Sequence, residues 1–135
     1  MTHPNPGVTP GLTGKATMIV GTNDTAPRVG SGRIPVLATP VMINLMEEAA
    51  LATVEHLLED GQQSLGTHLD VSHIAATPTG MRVVATAELT GIDGRTLTFR
   101  LQVRDEIDLI GEGSHTRVVV SAARFQERVD AKALS

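Results

Sequence analysis

The stretch TPVMINLMEEAALATVEHLLEDG, residues 39–61, decides the reading of the fold. Met42, Leu45, Met46, Ala49, Ala50, Ala52, Leu57 and Leu58 give it a strongly helical composition. Thr39-Pro40 reads as an N-cap followed by a proline at the first helical position, where the missing amide hydrogen has no partner to lose. Gly61 is a natural stop, because glycine enters the left-handed conformation that ends helices. One helix from residue 39 to about residue 60 is expected.

Downstream the period changes from 3.6 to 2. Leu65, Thr67, Leu69, Val71, His73 and Ala75 alternate with Gly66, His68, Asp70 and Ser72. Met81, Val83, Ala85, Ala87 and Leu89 form the next apolar face, and Asp93-Gly94 signals a hairpin. Leu97, Phe99, Leu101 and Val103 form a third face. A last strand runs from Leu109 to about Ala122, where the apolar phase changes near Val118 and predicts a bulge. Residues 124–133 suit a short terminal helix. Upstream, Lys15 to Val20 reads as a strand, and residues 21–38, rich in Gly and Pro, as a long loop.

The order strand, loop, one long helix, four strands predicts an α+β architecture. An antiparallel sheet wraps around the helix, as in a hot-dog fold. The expected organisation is a flexible N-terminal arm over residues 1–13 and a single hot-dog domain over residues 14–135. Such a sheet leaves an edge strand, commonly covered by a second copy, so a homodimer is expected.

Composition narrows the function. The 135 residues hold two aromatic side chains, Phe99 and Phe125, and carry a net charge of −4. Neither stacking platforms nor a basic footprint is present, which argues against a nucleic-acid partner. The absence of cysteine excludes disulfides, thiolate metal sites and a cysteine nucleophile. No signal peptide and no apolar run of membrane-spanning length is read, so the expectation is a cytoplasmic protein with no membrane partner.

A polar residue on an apolar face says more than a surface charge. Glu47 has Ile43, Ala50, Leu51 and Val54 as helical neighbours, whereas Glu48 falls on a polar stripe with Asn44, Glu55 and Glu59. A carboxylate placed like Glu47 suits a general base or nucleophile, or else it caps a neighbour or pairs with a buried arginine. His73 shares a face with Leu69 and Val71 and is either a satisfied core histidine or a functional one. Thr39 is explained by capping, although a hydroxyl at a helix start also holds water or an oxyanion. His115 and Arg117 share a face of the last strand, read as a solvated edge or as an anion site. Arg82, Arg100 and Arg104 point outward.

Several strings, taken in order, resemble the fluoroacetyl-CoA thioesterase-like branch of the hot-dog superfamily. They are Ala38-Thr39-Pro40-Val41-Met42, Leu45-Met46-Glu47, Ser64-Leu65-Gly66-Thr67, His73-Ile74-Ala75-Ala76-Thr77-Pro78, Val84-Ala85-Thr86-Ala87-Glu88-Leu89, Gly94-Arg95 and residues 110–117. The resemblance covers roughly residues 36–125. It implies Thr39, Glu47 and His73 as catalytic residues, Gly66 and Arg117 as substrate-binding residues, and no metal. It implies hydrolysis of a small acyl-CoA thioester, with CoA present only as part of the substrate and no separate cofactor. Fluoroacetyl-specific members carry phenylalanines before the helix, where this chain has Ile34-Pro35-Val36-Leu37, and Pro40 replaces their small residue. A non-catalytic acyl-CoA or small-ligand binding dimer is the alternative, and a hydratase on the same fold a further one.

Overall fold

The computed structural model describes residues 5–135. Strand β1 (Thr13–Ile19) leads through a 3-10 turn at Thr22–Asp24 and a one-turn helix α1 (Ala26–Val29) to the long helix α2 (Thr39–Val54). Then come β2 (Gln62–His73), β3 (Arg82–Asp93), β4 (Thr96–Arg104), β5 (Leu109–Ser121) and a terminal helix α3 (Ala122–Ala133). The strands form one antiparallel sheet in the order β1-β3-β4-β5-β2, so β1 and β2 are its edges.

Helix α2 lies on the inner face of this sheet. Its Met42, Leu45, Met46, Ala49, Ala50 and Val54 are buried against Val83, Ala85, Ala87, Leu89, Leu97, Phe99, Leu101 and Val103. The alternation read in β3 and β4 is the observed one, and Asp93-Gly94 makes their turn with Gly94 at φ +60°. Backbones come close where α2 crosses β1. A Cβ on Gly14 would meet Thr53 Oγ1, the Thr53 amide nitrogen at 2.6 Å and the Ala49 carbonyl at 2.7 Å.

Several local expectations change. Helix α2 turns 3-10 at Glu55–Leu57 and ends there, short of residue 60. The early tightening lets the Glu55 carboxylate accept from the Ser64 amide (2.9 Å) and hydroxyl (2.6 Å), which takes Glu55 off the solvated stripe. The N-cap is Ala38, not Thr39, and no side chain caps the helix start. Within residues 21–38, bridges from Thr25 to Leu37 and from Val36 to Pro78 pin the segment to the body.

Further changes concern the strands. On β2 the register shifts between Gly66 and His68, leaving Thr67 without a partner on β5. This bulge puts Ser64 and Gly66 inward with Leu69, Val71 and His73, and turns Leu65 and Thr67 away. On β5 no irregularity occurs at Val118. The β4–β5 shift sits between Val103 and Arg104, opposite Leu109–Gly111, and from there the alternation is regular. Gly111, Gly113, His115, Arg117 and Val119 share the inner face, where small and polar residues imitate an outer one. Of the arm read over residues 1–13, residues 1–4 lie outside the described residues. Residues 5–12 run against the body, with Val8 buried and the Asn5 side-chain amide donating to the Leu57 carbonyl at 3.1 Å.

Gly14→Ala should lower stability by about 1–3 kcal/mol, because two backbone atoms would have to move. Gly91→Ala, whose nearest contact is Thr98 Cβ at 4.0 Å, should cost well under half of that. Denaturant midpoints of the two variants check this, and equal losses would refute the tight crossing.

Candidate active site

The inner face of β5 carries two fully desolvated polar side chains, His115 and Arg117, the first with no exposure and the second 5% exposed. A buried guanidinium must have its donors matched. Arg117 Nε–H donates to Ser64 Oγ (2.8 Å), Nη2–H to the Ser64 carbonyl (3.0 Å) and Nη1–H to His115 Nε2 (3.1 Å). His115 accepts there because its Nδ1–H donates to the His68 carbonyl at 2.9 Å, which fixes the neutral tautomer. Burial lowers the His115 pKa, opposed by the His68 carbonyl, and the Arg117 charge lowers it further. Burial also lowers the Arg117 pKa, opposed by the carboxylates of Glu55 and Glu47.

A fourth N–H of Arg117, the second on Nη1, points to Glu47. Nη1 lies 3.4 Å from Glu47 Oε2, on a carboxylate whose side chain is 37% exposed. Gly66 lies against the same oxygen, and a Cβ there would come within 2.7 Å of Glu47 Oε2 and 3.0 Å of His115 Cε1. Glu47, Gly66 and Arg117 are therefore one constellation: a half-exposed carboxylate, a buried cation that orients it, and a strand position kept free of side-chain atoms.

Thr39 and His73 form a second constellation. Thr39 Oγ1 and His73 Nδ1 are 2.7 Å apart, and His73 Nε2 is buried with no hydrogen-bond partner among the described residues. Burial lowers the His73 pKa, offset in part by the Ala75 carbonyl, so the ring is neutral near pH 7. An open cavity of about 310 Å³ adjoins this pair, walled by Ala26, Ser31, Val36, Leu37 and residues 73–76.

The two constellations do not meet within one chain. Eight residues of α2 separate Thr39 from Glu47, about 12 Å along the axis. On β5, Arg117 pairs with Gly66 and Gly111 with His73, six residues or about 20 Å apart. The sequence assigns Ser64 and Glu55 no role in the site, and it offers His115 with Arg117 as a solvated edge or an anion site; the structure buries both His115 and Arg117. Ser64 stands in one of the strings that carry the resemblance, but the β2 bulge that turns it inward has no local signal. Among the described residues, no three His, Asp or Glu side chains are grouped to hold a metal ion.

Residues 20–123 match the model of the fluoroacetyl-CoA-specific thioesterase family. The chain belongs to that family. It is a thioester hydrolase of the hot-dog fold. The fluoroacetyl-CoA thioesterase of Streptantibioticus cattleyicolor is 43% identical over 97 residues, which are 72% of this chain and 70% of that one. A crystal structure of a fluoroacetyl-CoA thioesterase superposes with a TM-score of 0.88 at 35% identity, covering 93% of this chain and 98% of that one. A thioesterase superfamily member from Thermus thermophilus superposes with a TM-score of 0.79 at 26% identity, with the same coverage. A variant of the fluoroacetyl-CoA-specific enzyme, solved with fluoroacetate and CoA, superposes with a TM-score of 0.83 at 35% identity, covering 87% of this chain and 99% of that one.

The two lowered histidine pKa values make stability pH-dependent. The unfolded chain binds protons at His73 and His115 near pH 6.5, whereas the folded chain resists doing so. The stability is complete above about pH 6.5 and falls as the pH drops below it. Denaturant midpoints between pH 7.5 and 5.5 should decline, with a smaller decline in His73→Gln. A flat profile would show that these rings are protonated as easily in the folded chain as in the unfolded one.

Proposed function

We propose that this thioester hydrolase cleaves a small acyl-CoA, with a site completed by a second copy of the chain. The observation that carries the reading is the separation of Glu47, Gly66 and Arg117 from Thr39 and His73, together with the uncovered edge of β2. Two β2 strands pairing antiparallel about a two-fold axis near Leu69–Asp70 would set Gly66 of one chain opposite the partner's His73. The homodimer thus covers a twelve-residue edge and brings both constellations together.

In this site Glu47 is the general base. Its carboxylate is exposed enough for a water to reach it, and Arg117 holds its other side. Glu47 removes a proton from that water as its oxygen attacks the thioester carbonyl carbon. The negative charge moves to the carbonyl oxygen, where backbone amides at the Gly66–Thr67 bulge and the partner's His73 Nε2–H stabilise it. The partner's Thr39 hydroxyl donates to His73 Nδ1 and so selects that tautomer. As the tetrahedral centre collapses, the C–S bond breaks, and the proton held by Glu47 passes to the departing thiolate. The products are the free acid and CoA.

The cavity beside the partner's His73, with Val36 and Leu37 in its wall, takes the acyl group. Its lining, with Val36, Leu37 and Ile74 beside Ser31 and Thr39, suits a small acyl group. No group beyond water and these side chains enters the reaction as written, and CoA enters only within the substrate.

Purified protein offered short, branched and aryl acyl-CoAs should release free thiol fastest from the short chains. Glu47→Gln should lower kcat by about 10²–10³-fold without moving the unfolding midpoint. Co-expressed Glu47→Gln and His73→Ala chains, each inactive alone, should recover about a quarter of wild-type activity, because half the dimers are mixed and each mixed dimer has one intact site. No recovery in verified mixed dimers would place the whole site within one chain. No thiol release from any acyl-CoA, with CoA still bound, would favour a binding module.

A further inference from the structure

A second cavity, of about 260 Å³, opens at the opposite end of β2 and β5 from His73. Three arginines line it. Arg95 stands on the β3–β4 turn, beside β5 because the Val119 amide donates to the Arg95 carbonyl at 2.9 Å. Arg124 and Arg128 are four residues apart on α3 and leave it on one face. The start of α3 is anchored there: the Ala122 amide donates to the Gly61 carbonyl at 2.9 Å, and Ser121 Oγ accepts from the Arg124 amide.

The charge is unbalanced. Asp60 is the one carboxylate in the lining, and among the described residues none of the three guanidinium groups has a carboxylate oxygen within 4.0 Å. A chain of net charge −4 thus gathers three of its eleven Lys and Arg residues at one cavity without pairing them. Mutually repelling guanidinium forks around a concave surface suit a multiply charged anion, above all a phosphate or diphosphate, whose oxygens accept bidentate bonds.

The distance to the candidate active site adds a constraint. Gln62 pairs with Ser121 at the cavity, and Gly66 with Arg117 at the site. The four intervening residues of strand span about 13 Å. In a CoA thioester about thirteen bonds lie between the sulfur and the first phosphorus. At the backbone's extended reach of 3.3–3.6 Å per three bonds, that arm spans about 15 Å.

We infer that the cavity lined by Arg95, Arg124 and Arg128 binds the phosphate groups at the nucleotide end of the CoA thioester whose carbonyl lies at Glu47 and Gly66. The inference rests on the acyl-CoA reading above and adds the anchor that sets recognition of CoA apart from recognition of the thioester. The arginines are exposed, so salt screens their contribution and weakens CoA binding.

The test compares acetyl-CoA with S-acetylpantetheine, which has the same thioester and arm but no phosphates. In Arg124→Ser/Arg128→Ser, and separately in Arg95→Ser, KM for acetyl-CoA should rise about tenfold or more, with kcat little changed. Both parameters for S-acetylpantetheine should stay at the wild-type values. Calorimetry should show CoA binding weakened by a similar factor, and wild-type binding weakened by added salt.

Equal damage to both thioesters, or CoA bound as tightly by the variants as by wild type, would overturn the inference. Pyrophosphate bound as tightly as CoA would also overturn it and make the cavity a free-anion site. Should wild type hydrolyse neither thioester, the hydrolase reading alone falls, and CoA binding to the variants still decides the cavity by the same criteria.

Discussion

A guanidinium buried on the inner face of the sheet is the constraint around which the site is built. Arg117 is 5% exposed, so each of its donors needs an acceptor inside the protein. Ser64 meets two of them, and Ser64 is itself held at its amide and hydroxyl by Glu55. That contact accompanies the early 3-10 ending of α2. His115 meets a third donor and is locked by the His68 carbonyl, just beyond the β2 bulge. A fourth donor, the second Nη1–H, points to Glu47, and Gly66 leaves room for the carboxylate. Removing the Ser64 or His115 acceptor would strand a buried donor, an effect of about 1–3 kcal/mol or more, whereas at half-exposed Glu47 a glutamine oxygen still accepts. Stability and function are therefore coupled at this arginine.

Much of the architecture follows from the period of the apolar residues. The change from 3.6 to 2 after residue 61 separates one helix from four strands, and in β3 and β4 the apolar face is the buried one because only aliphatic side chains and Phe99 meet α2. The pattern loses its meaning in β2 and β5. Gly111, Gly113, His115 and Arg117 face inward yet carry no apolar side chain, so the inner face resembles an outer one. One extra residue at Thr67 reverses the faces of the first half of β2, and no local signal marks it. Thr39 illustrates a different limit: its type and place fit a cap, but its hydroxyl is engaged with His73, thirty-four residues away.

Of the candidate residues, Glu47 and His73 stand out from the helical and strand periods because each is polar on an otherwise apolar face. Gly66, Arg117 and Thr39 gain their roles from the resemblance, and their meaning comes from contacts distant in sequence. Ser64, Glu55 and His115 form the support, assembled from three separate elements rather than from one short motif. Their arrangement explains how this chain keeps one buried arginine in a fixed pose beside a carboxylate that faces solvent. The Glu47 and His73 constellations lie too far apart to meet in one chain, and under the proposed function the long edge of β2 joins them across a dimer.

The most direct measurement is a crystal structure with a non-hydrolysable thioether analogue of acetyl-CoA. The account predicts a β2-to-β2 dimer in which the Glu47 carboxylate of one chain and His73 Nε2 of the other lie within about 3 Å, or one bridging water, of the reacting acyl group. An analogue contacting Thr39 and His73 of one chain, with Glu47 of neither chain nearby, would contradict it.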